Sequence, residues 1–132
     1  MKDSILHDAK AFQSFSVDDI GKARAFYRDT LGLDVAESPM GLELEVGGGS
    51  KVFVYPKPDH KPATFTILNF PVDNVDEAVD KLTSTGIRFE QYDLPDIKTD
   101  ARGIARDTEG PAMAWFKDPA GNILSVMQER AD

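Results

Sequence analysis

An internal repeat is the feature that most limits how this chain can fold. Residues 70–75 (FPVDNV) reproduce the pattern of residues 15–20 (FSVDDI) 55 positions further along. In both copies, a short apolar stretch with strand-like alternation leads into a polar residue that can cap the first turn of a helix. The repeat therefore predicts two copies of one strand–helix unit.

Each copy continues as an amphipathic helix. In the first copy, Ala23, Tyr27 and Leu31 recur on one helical face, which is typical of a helix packed on a sheet. The candidate N-caps and the glycines suited to the C′ position are Asp18 or Asp19 with Gly32 in the first copy, and Asp73 or Asn74 with Gly86 in the second.

Strand patterns follow both helices. The predicted strands are residues 42–46 and 51–55 in the first copy, and residues 87–90, 113–117 and 123–127 in the second. Gly47–Gly49 is expected to form a hairpin turn, because strands flank it on both sides. A second turn is expected at residues 118–122 (DPAGN).

The two copies meet at a joint. Residues 56–62 contain three prolines, which cannot occupy a regular element. The sequence therefore predicts one domain over residues 1–132, with module one at about 11–56 and module two at about 63–129. A module of this size is marginal alone, so the two are expected to share or abut one sheet, and the joint favours a binding site between them.

Composition excludes several classes of function. The chain has no cysteine, which excludes disulfides and thiolate metal sites. Its net charge of −8 argues against nucleic acid as a partner. The first ten residues lack the apolar core of a signal peptide, and no stretch approaches the ~20 apolar residues of a membrane span. A cytoplasmic protein that does not contact membranes is expected.

Two motifs are shared with a known family. They are the first helical segment, FSVDDI…AFYRDTLGL in residues 15–33, and the turn WFKDPAGNIL in residues 115–124. Over about residues 12–128 the chain resembles the vicinal oxygen chelate superfamily, which includes glyoxalase I, bleomycin-resistance proteins, fosfomycin-resistance enzymes and extradiol dioxygenases. The resemblance implies an α+β fold of two tandem βαβββ modules, whose curved mixed sheets surround a cavity that is often completed in a homodimer.

The chain departs from this family at the positions that hold its metal. The resemblance assigns the divalent metal to His and Glu side chains on four strands, and the matching positions here are Phe12, Phe53, Ile67 and Ser125. Phe and Ile have no donor atom, and a Ser hydroxyl is a poor ligand beside carboxylate or imidazole. Neither a metal nor another cofactor is therefore predicted.

The resemblance implies that these four positions face the cavity, and alternation along the strands then predicts which other side chains do, because residues two apart share a face. The set combines aromatic and aliphatic groups with hydroxyls and an amide, which is typical of a small-molecule site, although the apolar members could instead fill a core. No carboxylate is expected to face inward. The predicted cavity residues are Phe12, Ser14, Ser16, Phe53, Tyr55, Phe65, Ile67, Asn69, Trp115, Ser125 and Met127. Of these, Trp115 could either stack on a ligand or pack against the helices.

Two further places could carry chemistry. His60 lies in the proline joint, where proton transfer or ligand contact competes with an exposed loop position. Residues 95–111 form a polar segment long enough for a lid or binding loop. Within it, Arg102 and Arg106 could reach an anionic group or simply lie in an exposed loop of mixed charge.

Two functions are compatible with these residues. The first is metal-free binding or sequestration of a small aromatic or amphipathic molecule by a homodimer of the glyoxalase/bleomycin-resistance type. The second is a glyoxalase-like lyase or a dioxygenase with a non-standard or absent metal site. If this enzyme held a metal, the residues coordinating the metal would be ones such as Gln13, Glu43, Glu45, His60 and Gln128. The departures at the metal positions favour binding, and no catalytic residue is predicted.

Overall fold

The fold consists of two similar four-stranded sheets, one from each half of the chain. The computed structural model describes residues 5–106 and 110–128. The first half comprises β1 (Gln13–Val17), α1 (Ile20–Ala25), a π-helical turn (Phe26–Thr30), β2 (Asp34–Ser38), β3 (Gly41–Val46) and β4 (Ser50–Pro56). The second half comprises β5 (Thr66–Pro71), α2 (Val75–Ser84), β6 (Ile104–Ala105), β7 (Ala112–Lys117) and β8 (Ile123–Gln128).

The two sheets have the same topology. Their strand orders are β1-β4-β3-β2 and β5-β8-β7-β6. In each sheet, the first strand runs parallel to its neighbour and the other pairs are antiparallel. The predicted α+β fold of two strand–helix–three-strand units is confirmed.

The helices begin and end where the repeat predicts. Asp19 and Asn74 are the N-caps, and the side-chain oxygen of each accepts a hydrogen bond at 3.0 Å from the N–H three residues later. The first helix then continues as a π-helical turn, in which the N–H of Leu31 donates to the carbonyl of Phe26, five residues earlier. Gly32 follows with φ of +75°, a conformation that suits glycine.

One hydrophobic core joins the two halves. From the first sheet, the side chains of Val17, Leu44 and Val54 are buried in it, and from the second half Val75 and Leu124 belong to the same cluster. The rings of Phe26 and Phe116 also meet across the boundary, with centroids 6.4 Å apart. The modules therefore cover each other's apolar faces.

The turn at residues 118–122 fastens the second half to the first. The buried Asp118 carboxylate accepts a hydrogen bond at 2.7 Å from the hydroxyl of Tyr27. It also accepts from the backbone N–H groups of Ala120 and Asn122, while the Asn122 amide donates to the carbonyl of Ser16 at 3.0 Å. Burial and the neighbouring carboxylate raise the pKa of Tyr27, so its hydroxyl stays protonated as a donor.

One predicted strand is wrong. Residues 87–90 form no strand and pair with β7 only at a single bridge between Phe89 and Phe116. The strand at the edge of the second sheet is β6, within the segment that was expected to be a loop. Local pattern does not show this pairing, because side chains hold the segment: the Asp100 carboxylate accepts from the N–H groups of Arg102 and Ile104. Of the described residues, no helix is long and apolar enough to cross a membrane.

Candidate ligand-binding face

The face of the first sheet that points away from the core is open. Phe53 on β4 pairs with Ser14 on β1 and with Glu43 on β3, so the three side chains share this face. None of the three is buried. The opposite face carries the buried Val52 and Val54, as the alternation of the strand predicts.

A groove of about 1040 Å³ lies over this open face. Phe12, Met40, Phe53 and Leu68 supply its main apolar lining. Phe12 and Met40 are 71% and 74% exposed, a high fraction for large apolar side chains. Exposed apolar side chains grouped around a groove are typical of a surface that binds another molecule.

A carboxylate also lies in the groove, contrary to the prediction. Glu43 faces it because Glu43 pairs with Phe53, a register that alternation within single strands cannot show. Its Oε1 lies 2.9 Å from Nζ of Lys51, and this hydrogen bond raises the pKa of Lys51. The two charges on this wall of the groove are therefore paired with each other.

The structure brings only some of the predicted cavity residues to the groove. Phe12 and Phe53 line it. The ring of Tyr55 stacks beside that of Phe53 at 6.2 Å, and Ser14 lies exposed across from Phe53. Phe65 is 67% exposed but does not line the groove.

The predicted cavity residues of the second half lie elsewhere. Ser125, expected to face a cavity, is fully buried, and its hydroxyl donates to Oδ1 of Asn69 at 2.5 Å. Trp115 packs edge-on against Tyr92, with ring centroids 5.4 Å apart. The other two, Ile67 and Met127, are half-buried. Tyr92, in the loop before β6, therefore covers Trp115, a contact that alternation alone does not reveal.

His60 connects the joint to both halves of the chain. Its Nδ1 lies 2.6 Å from Oγ of Ser16 on β1, and its Nε2 lies 3.1 Å from the carbonyl oxygen of Ala120. The sequence singled out Ser16 and His60 separately. Their 44-residue separation hides the contact between them.

Arg102 and Arg106 are already paired with carboxylates. Both guanidinium groups contact Asp76 on α2, and Arg102 also contacts Asp80. These hydrogen bonds lower the pKa of Asp76 to about 2. The two arginines therefore hold the loop against α2 and do not present free cations to a ligand.

The positions that the family uses for metal do not fit a metal here. Phe12, Phe53 and Ile67 offer no donor atom, and the hydroxyl of the buried Ser125 is bonded to Asn69. Glu43 and His60 do not compensate: among residues 5–106 and 110–128, no three His, Asp or Glu side chains are close enough to hold an ion.

The fold and this face define a protein of the glyoxalase type. The chain matches the sequence profile of the Glyoxalase/Bleomycin resistance protein/Dioxygenase superfamily over residues 9–126, and it belongs to that superfamily. No curated protein sequence matches it significantly.

Several solved structures are similar to this chain. TnmS3, an antibiotic binding protein from Streptomyces sp. CB03234, is 26% identical with a TM-score of 0.64, over 93% of this chain and 98% of that one. Lactoylglutathione lyase from Agrobacterium tumefaciens is 23% identical with a TM-score of 0.65, over 92% of this chain and 93% of that one. The fosfomycin resistance protein FosX from Listeria monocytogenes is 12% identical with a TM-score of 0.69, over 93% and 94%.

Proposed function

We propose that this protein binds a small organic molecule in the groove on the open face of its first sheet, without a bound metal. The groove itself is the observation that carries the proposal. Its volume of about 1040 Å³ is at the upper end of small-molecule sites. Its lining combines apolar side chains with a few polar groups, as such sites usually do.

The lining favours an aromatic or amphipathic ligand without net positive charge. Phe12, Phe53 and Met40 offer flat or flexible apolar surface, against which a ring can pack. The carboxylate of Glu43 already has a partner in Lys51, so a cationic ligand would have to compete with that ion pair. A neutral or zwitterionic molecule would leave it intact.

Two observations support binding over metal-dependent catalysis. The positions that would hold a catalytic metal carry Phe12, Phe53, Ile67 and Ser125, which are unsuited to it. A structural relative at 26% identity is an antibiotic binding protein. The alternative, a lyase or dioxygenase with a non-standard metal site, has no specific support from the described side chains.

Replacing one exposed phenylalanine tests the site of binding. The probe is N-phenyl-1-naphthylamine, a neutral aromatic fluorophore, titrated into the protein. Phe12→Ala should weaken its binding at least about fivefold, since an aromatic contact is worth about 1 kcal/mol. Phe65→Ala is the matched control, because Phe65 is nearly as exposed but lies outside the groove lining. Equal loss in both variants, or no binding by the unmodified protein, would contradict the proposal.

We further propose that the protein is a homodimer, as the family resemblance implies. Sedimentation equilibrium should then give about twice the chain mass of 14.5 kDa. A mass of one chain at micromolar concentration would contradict this.

A further inference from the structure

A hydroxyl, an imidazole and a carbonyl oxygen form a chain of hydrogen bonds where β1, the joint and the 118–122 turn meet. The carbonyl of Ala120 can only accept, so Nε2 of His60 must carry the ring hydrogen. In the neutral ring Nδ1 then has a free lone pair, which accepts the hydrogen of the Ser16 hydroxyl across 2.6 Å. A base oriented by a third group and touching a hydroxyl is the arrangement that activates a nucleophile.

Other bonds fasten the same junction without using the Ser16 hydroxyl. The Asn122 amide donates to the backbone carbonyl of Ser16 at 3.0 Å. The N–H of Lys57 donates to the carbonyl of Val17 at 2.9 Å. Removing the hydroxyl of Ser16 would leave both in place, as it would the Tyr27 bond to Asp118. The junction therefore does not depend on the Ser16 hydroxyl, and a reaction at that hydroxyl would leave the other bonds intact.

The Ser16 hydroxyl can be reached from the open face. Ser16 and His60 are only half-buried, and Ser16 lies on the same side of β1 as the exposed Ser14. Ser14 pairs with Phe53 at the groove, and Ser16 pairs with Tyr55, the next residue on that face. A rise of ~3.3 Å per residue places Ser16 about 7 Å beyond Ser14.

We propose that Ser16 is a nucleophile, with His60 as its general base, and that it accepts an acyl group from an activated ester. Oγ of Ser16 bonds to the ester carbonyl carbon, and the bond from that carbon to the leaving oxygen breaks. The hydroxyl proton passes to Nδ1 of His60 and from there to the departing alkoxide or phenolate. The products are acyl-Ser16 and an alcohol or phenol, and addition of water then releases the carboxylic acid and restores the hydroxyl.

p-Nitrophenyl acetate tests this step directly. The protein should release p-nitrophenolate, and peptide mass spectrometry should locate the acetyl group on Ser16. Ser16→Ala should abolish both signals, and His60→Gln should slow acetylation by about 100-fold. Ser84→Ala is the matched control, because Ser84 is exposed on α2 and its hydroxyl donates to the carbonyl of Lys81, and it should react as the unmodified protein does. Acetylation confined to lysines, or unchanged in Ser16→Ala, would overturn the proposal.

A second measurement does not depend on how well the His60 variant folds. The chain has no cysteine, so Ser16→Cys and Ser14→Cys each introduce a single thiol. At neutral pH, iodoacetamide should alkylate Ser16→Cys about tenfold faster than Ser14→Cys, although position 16 is less exposed, because His60 would draw the proton from the thiol. Equal or slower alkylation at position 16 would show that His60 does not activate this position.

Discussion

At the scale of single residues, Tyr27 and Asp118 form a buried polar contact that the core could not hold unpaired. The carboxylate accepts from a phenol, a side-chain amide and two backbone N–H groups, so its hydrogen-bonding capacity is well used. A buried acceptor that loses one donor keeps the cost of its lost hydration. The pair thus adds to the shared core in fastening the second module to the first.

Tyr27→Phe should therefore lower the free energy of unfolding by about 1–3 kcal/mol, measured in urea. Tyr55→Phe makes the same chemical change at a half-buried ring on the open face and should shift stability by no more than about 0.5 kcal/mol. Similar losses in the two variants would contradict this role for the Asp118 contact.

Glycine is required at position 41 for a different reason. Gly41 has φ of +154°, and a Cβ there would lie 2.2 Å from the carbonyl oxygen of Val54 on the neighbouring strand. Gly41→Ala should cost at least about 2 kcal/mol, because backbone must move to make room. Gly47→Ala, where a Cβ meets nothing within 4 Å, should lower the thermal midpoint far less. If the two substitutions lower it equally, close packing at Gly41 is not the cause.

At the scale of elements, ion pairs hold α2 to the residues on both sides of β6, Arg102 before it and Arg106 after it. The carboxylate of Asp76 forms ion pairs with both Arg102 and Arg106, and their hydrogen bonds lower the pKa of Asp76 to about 2. A carboxylate with a lowered folded-state pKa stabilises the fold fully above its unfolded value near 3.8. That contribution is lost as the pH falls toward about 2.

The unfolding midpoint of the unmodified protein should thus fall more steeply between pH 5 and pH 2 than that of Asp76→Asn, which lacks the ionisable group. Asp96→Asn changes an exposed carboxylate that lies outside this ion-pair cluster, and it should follow the unmodified protein. Parallel curves for the unmodified protein and Asp76→Asn would refute the contribution of Asp76. Screening by solvent keeps the effect modest, because these groups are exposed.

The elements also show what local pattern can predict. The helix starts follow from Asp19 and Asn74, because capping is a contact across three residues. The edge strand β6 does not, since a two-residue strand is defined by its partner β7 and by side-chain contacts to a distant helix. The strand predicted at residues 87–90 was wrong because local pattern does not show that β7 pairs with β6 and meets residues 87–90 at only one bridge.

The residues that line the groove could be predicted only where local pattern is enough. Phe12 and Phe53 followed from alternation and family resemblance, because both lie on the open face. Glu43 and Met40 did not, since the first depends on the register between two strands and the second lies in the turn between β2 and β3. The contact of Ser16 with His60 depends on how the joint folds back onto β1.

At the scale of the whole molecule, the clearest test concerns metal. Chelator-treated protein should show no rise in its thermal midpoint with Ni, Mn, Fe, Co or Zn, because the four family positions lack suitable donors. A metal at 100 times its dissociation constant would add about 2.7 kcal/mol, which the measurement would detect. A saturable rise with any of them would overturn metal-free binding and favour the lyase or dioxygenase alternative.

The single core between the modules bears on how a duplicated chain of this kind arises. An ancestor with only one module would have exposed the apolar face that the other module now covers, including the side of the π-helical turn that carries Phe26. Such a half-length chain would have had to associate with a second copy of itself to exclude water from that face. The proline-rich joint turns that encounter between two molecules into a connection within one, so folding no longer depends on protein concentration.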